Sequence, residues 1–128
     1  LKDGSGNINS KILATLRLEN GVVPLTKAGL PSKIFQSPTS RYSQITEKRS
    51  GNYVRVYHEG APYLVLWSTP GEEAKLACIE PWHGISDGKD SDGDFTKKDG
   101  IIRLEPGEQF DFTQVLEFSM GKDGDRNG

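Results

Sequence analysis

The chain has 128 residues, a net charge of -2 and 27% charged residues. That length suits one domain with its own core, and so balanced a charge puts no strong field on nucleic acid or an anionic membrane. A single cysteine, Cys78, excludes a disulfide within these residues, and 15 glycines and 7 prolines beside 34% hydrophobic residues speak for a turn-rich fold.

No apolar run approaches the ~18–20 residues of a membrane span, and no signal peptide is visible. The expectation is a cytoplasmic protein that binds neither nucleic acid nor membrane. Residues 1–10, rich in Gly, Asn and Ser, are expected to be a flexible N-terminal segment. Over residues 11–18, Ile12, Ala14, Leu16 and Leu18 alternate onto one face and predict a one-sided strand. Asn20-Gly21 is a turn signal, and Val22-Val23 begins a short strand that Pro24 stops. Residues 26–40 read as a loop pinned by Leu30, Ile34 and Phe35. A weak strand follows over 41–46, and a charged hairpin turn over 47–51. The strand over 52–58 puts Val54, Val56 and His58 on one face and Tyr53, Arg55 and Tyr57 on the other.

Residues 63–67 form the strongest apolar run and predict a strand buried on both faces. After a Pro70-Gly71 turn comes a second two-sided apolar strand over 76–80, with Leu76, Cys78 and Glu80 on one face and Ala77 and Ile79 on the other. Pro81, Trp82 and His83 follow, with Trp82 expected just outside the strand. Residues 87–100 are a long acidic loop, 101–104 a short strand and 105–108 a Pro-Gly turn. A last strand carries Phe110, Phe112, Leu116 and Phe118 on one face, and residues 120–128 are expected to be a disordered tail. Several short strands with Pro/Gly turns and no long amphipathic helix predict an all-β, antiparallel β-sandwich over residues 11–119.

The chemistry concentrates where the second two-sided strand ends. A carboxylate on the rim of a core costs free energy unless it is partnered or protonated, which suits Glu80 to general-base work. A strand-end glutamate pointing into water fits the same residues. His83 reads either as a second acid/base group in the same cleft or as an exposed loop histidine. Trp82 reads as a sugar-stacking face or as packing, and Trp67 and Tyr63 as core. His58, closing an apolar face, is structural, and Cys78 is a small buried hydrophobe. The Asp-rich loop over 87–94 offers oxygen ligands at alternate positions, but its register fails a calcium loop: the first position is Gly88, and Lys89 opposes a cation. Two histidines and a core-facing cysteine are too few for a zinc site.

The run Cys78-Ile79-Glu80-Pro81-Trp82-His83-Gly84 is preceded by Pro62-Tyr63-Leu64-Val65-Leu66-Trp67 and Pro70-Gly71. It is followed by Lys98-Asp99-Gly100-Ile101-Ile102-Arg103-Leu104-Glu105-Pro106-Gly107-Glu108. In this order the blocks resemble the C-terminal part of the aldose 1-epimerase (galactose mutarotase) superfamily, in its LacX-like branch. The resemblance implies a galactose-mutarotase-like β-sandwich, of which this chain is expected to be the C-terminal portion. It implies interconversion of the α and β anomers of an aldose, without metal or organic cofactor. Glu80 stands at the matching position of the general base, and a histidine from the preceding half of such enzymes protonates the ring oxygen. Trp82 and His83 are the expected substrate contacts. A noncatalytic carbohydrate-binding sandwich is one alternative. Another is a structural half-domain whose exposed strands are covered by a partner chain or a second copy.

Overall fold

The computed structural model describes residues 19–23, 33–69 and 76–121. The predicted strand over 11–18, the flexible start and most of the tail lie outside the described residues. Glu19–Gly21 is a short 3-10 turn, and Val22 and Val23 are irregular rather than a strand. Six strands follow: β1 (Lys33–Gln36), β2 (Tyr42–Thr46), β3 (Tyr53–Tyr57), β4 (Tyr63–Ser68), β5 (Ala77–Trp82) and β6 (Val115–Ser119). They form two antiparallel sheets, ordered β1-β4-β5 and β2-β3-β6. The fold is all-β, and the two sheets come into contact where β2 approaches β5.

The β2–β3 hairpin is the local unit that sequence and structure share. Tyr53-Val54-Arg55-Val56-Tyr57 is β-branched or aromatic at four of its five positions, which suits a pleated surface. The Glu47 carboxylate accepts the backbone N–H groups of Arg49 (2.9 Å) and Ser50 (2.6 Å), and Gly51 takes φ 76°. Those bonds occupy backbone donors that the ladder leaves unpaired in the turn.

β4 is the central strand of its sheet, with Tyr63, Leu64, Val65 and Ser68 buried. Its two-sided burial matches its unbroken apolar run. β5 does not share that environment. All its residues are half-buried, and it pairs only with β4 among the described residues. The two-sided burial expected from its composition is therefore corrected to half-burial. The strand also continues through Pro81 and Trp82 instead of ending at Glu80. Pro81 lacks an N–H to give to a neighbour, and no strand among the described residues pairs with β5 on the side away from β4.

Three further expectations are revised. Lys33–Gln36 pairs with β4 as a strand where a loop was expected. Ile34 and Phe35 anchor the segment as expected, and backbone pairing with β4 holds them. Residues 101–104 are irregular. The last strand starts at Val115, leaving Phe110 and Phe112 in an irregular segment. Leu116 and Phe118 do share one face of β6, and both are exposed.

Candidate functional site

Side chains alternate along a strand, so β5 presents Cys78, Glu80 and Trp82 on one face. Its register sets Trp67 opposite Cys78, Val65 opposite Glu80 and Tyr63 opposite Trp82. Directly paired residues share a face. Glu80 therefore stands among three aromatic residues, with Trp82 on its own strand and Tyr63 and Trp67 diagonally placed on β4. Ile34 and Gln36 of β1 continue this face, opposite Val65 and Tyr63.

The Trp82 indole Nε1–H donates to Glu80 Oε2 at 3.1 Å. Burial pushes the Cys78 thiol above its ordinary range, helped by the charge of Glu80 and a hydrogen bond to it. Cys78 thus stays a protonated thiol, a weak donor beside the carboxylate rather than a nucleophile. Across the sheet, burial first and the charge of Asp99 second push the Tyr63 phenol up. Gly100, at φ 70°, brings its backbone against the edge of that ring. Glu80, Trp82, Tyr63 and Cys78 are thereby assembled by one strand pair and one close glycine contact.

His83 stands apart. Gly84, at φ 81°, turns the chain directly after it. The imidazole packs edge-on against Phe110, with ring centres 5.1 Å apart, and against Phe112 at 4.6 Å. No hydrogen bond joins it to Glu80 among the described residues. The structure brings Glu80 and Trp82 together and gives His83 a separate aromatic setting. His58 is buried, with Nε2 within 3.1 Å of Ser43 Oγ, in keeping with a structural role.

Two clefts open on other parts of the surface. One, of about 290 Å³, is lined by Arg41, Tyr57, Glu59, Thr113 and Val115. The other, of about 310 Å³, lies within the acidic loop between Ile85 and Asp99. Glu80, Trp82 and His83 line neither. In the acidic loop Lys97 Nζ reaches Asp92 at 2.6 Å and Asp94 at 3.3 Å, and Lys98 reaches Asp87 at 3.5 Å. Of the four aspartates over residues 87–94, Asp87, Asp92 and Asp94 are thus engaged by lysines. No group of three or more His, Cys, Asp or Glu side chains suited to a metal ion occurs among the described residues.

A polar cluster on the other sheet was not foreseen. Glu117 of β6 accepts from Tyr53 Oη at 2.5 Å, Tyr57 Oη at 3.0 Å and Arg55 Nη1 at 3.0 Å. Arg55 also donates from Nε to Gln44, and its guanidinium lies 4.3 Å from the centre of the Tyr42 ring. The Tyr-x-Arg-x-Tyr spacing of β3 showed three members on one face. Their acceptor arrives from β6, which no local pattern could pair with β3. Each contact in this cluster is internal, which fits a sheet-bracing role.

No protein-family model, curated protein or solved structure matches this chain. No helix among the described residues is long and apolar enough to cross a membrane.

Proposed function

We propose that this chain carries the general-base portion of an aldose 1-epimerase-like β-sandwich, with Glu80 as the base and a monosaccharide as the ligand. The observation that carries the proposal is the half-buried Glu80 carboxylate on a sheet face framed by Trp82, Tyr63 and Trp67. Sugars present hydroxyl edges and C–H faces, and a carboxylate among aromatic residues can meet both. The resemblance of the Cys78–Gly84 run to that superfamily supports the same reading.

In the reaction, Glu80 takes the proton of the anomeric hydroxyl. The electron pair of that O–H bond becomes the carbonyl of the open aldose as the bond from C1 to the ring oxygen breaks. An acid protonates the departing ring oxygen. Rotation about the bond from C1 to C2 and reclosure, with both protons returned, gives the other anomer. A positioned acid or base contributes typically ~10²–10⁴-fold. Exchange spectroscopy on the anomeric protons of glucose and galactose tests the proposal. The chain should exchange α and β forms faster than buffer does, and Glu80→Gln should remove that excess. A folded chain that leaves the spontaneous rate unchanged would overturn it.

A second reading, a sugar-binding sandwich without turnover, is favoured by the placement of His83 against Phe110 and Phe112. With the imidazole there, no histidine stands beside Glu80 among the described residues to protonate a ring oxygen. Line broadening of sugar resonances without anomer exchange would select this reading.

A further inference from the structure

We infer that Trp82 is a positioning residue for Glu80, acting through its indole N–H rather than offering a flat face to the sugar. The inference rests on the reading of Glu80 as the base. Three observations carry it. The Nε1–H group donates to Glu80 Oε2 at 3.1 Å, so one edge of the indole is committed to the carboxylate. Trp82 is itself a strand residue, set by the β4–β5 register opposite Tyr63, and Tyr63 is buried. Gly100 presses on the Tyr63 ring from the loop side, where a Cβ would collide with Cε2 and would lie 3.2 Å from the backbone nitrogen of Gly84. The tryptophan that donates to the glutamate therefore stands beside a buried tyrosine that the loop braces.

The chemistry of the donor matters. A glutamate side chain has three torsions, and a base must aim one lone pair at one hydroxyl proton. An indole N–H donates and never accepts, and it does not titrate in water. It can fix one carboxylate oxygen without competing for the proton that Glu80 is to take. A carboxylate has about four acceptor positions, so the bond from Trp82 leaves capacity for the anomeric hydroxyl. The Cys78 thiol, on the other side of Glu80 along the strand, is likewise a protonated and weak donor. Glu80 is flanked two residues before and two residues after by groups that orient it and take no proton from it.

Two measurements decide the inference. In Trp82→Phe the ring remains and the N–H is lost. For a positioning role, kcat for anomer exchange falls roughly 10- to 100-fold while KM stays within about twofold. A variant that raises KM and keeps kcat would show a stacking face and overturn the inference. The second measurement leaves Trp82 in place and so survives a poorly folding variant. The indole N–H resonance of Trp82, assigned by ¹H–¹⁵N NMR, should move upfield and exchange faster with water in Glu80→Gln than in the parent chain. A resonance unmoved by that change overturns the inference. If the parent chain accelerates no exchange at all, the epimerase reading fails. The indole resonance then still decides whether Trp82 holds Glu80.

Discussion

Arg55 and Glu117, 62 positions apart in the chain, meet at 3.0 Å across the β3–β6 pairing. The arginine side chain is 22% exposed and the glutamate 37%, so water and salt screen this pair less than the open Arg41–Glu59 pair. Hydrogen bonds from Tyr53 and then Tyr57 hold the Glu117 carboxyl below the usual carboxylate range. The Tyr53 phenol is pushed up, chiefly by the same bond. Glu117→Ala should let one tyrosine ionise at lower pH, seen by ultraviolet difference spectroscopy, and should lower the urea midpoint. An unchanged tyrosine titration would show that the cluster does not hold in solution.

His58 should make stability depend on pH. Burial depresses its imidazole below the ordinary value of 6.5. The folded state then binds fewer protons than the unfolded chain in the interval below 6.5. Stability is full above that value and falls as pH drops through it toward the depressed folded value. Urea titrations in this range should show a falling midpoint, and His58→Gln, which keeps a polar partner for Ser43, should flatten the slope. An equal slope in the variant would assign the effect to other groups.

Glu47 should govern the hairpin at lower pH. Its hydrogen bonds with Ser50 and Arg49 bring its carboxyl from 4.5 down to about 2. The depressed folded value means that its contribution is present above 4.5 and is lost as pH falls through about 2. Amide protection at Arg49 and Ser50, taken relative to the intrinsic exchange rate at each pH, should fall across that window while β4 amides stay protected. Glu47→Ala should show fast exchange at both positions at neutral pH.

Gly100 and Gly107 offer a matched pair of substitutions. Both have positive φ, 70° and 89°, but a Cβ at Gly107 meets open space whereas one at Gly100 strikes the Tyr63 ring. Gly107→Ala should cost the backbone part alone, roughly 1–2 kcal/mol. Gly100→Ala should cost more, because the buried Tyr63 must shift. Chemical denaturation compares the two. Gly100→Ala should also change the near-ultraviolet circular dichroism of Trp82, which pairs with Tyr63. Equal losses of stability would mean that the Tyr63 contact is slack.

Leu64, 4% exposed in the central strand, tests the core. Leu64→Ala should destabilise by about 2–5 kcal/mol, the range for emptying a buried leucine site. Thermal unfolding gives the value, and a loss below ~1 kcal/mol would argue against a packed core at β4.

The strands legible in the sequence were those whose side-chain pattern is local. Val54 and Val56 on one face of β3 and the unbroken run of β4 both announced themselves. Lys33–Gln36 did not, because four residues after a proline carry too little alternation, and their strand form depends on backbone bonds to β4. Phe110 and Phe112 followed a strand pattern, yet their rings pack against His83 outside any strand. Composition also overstated the burial of β5, whose residues are all half-buried, since an apolar run does not by itself say what covers it.

The sequence by itself determined the all-β class, the β2–β3 turn, the two-sided burial of β4 and the common face of Cys78 and Glu80. These follow from the two-residue period of a strand and from the φ and hydrogen-bond needs of turn residues, which act within a few positions. Only the tertiary structure decided that Glu80 receives the Trp82 N–H, that His83 turns to two phenylalanines and that Glu117 closes a cluster begun by Tyr53, Arg55 and Tyr57. Those choices depend on register, rotamer and pairing between distant segments. Their free energies arise when the segments meet, and no periodicity along the chain encodes them.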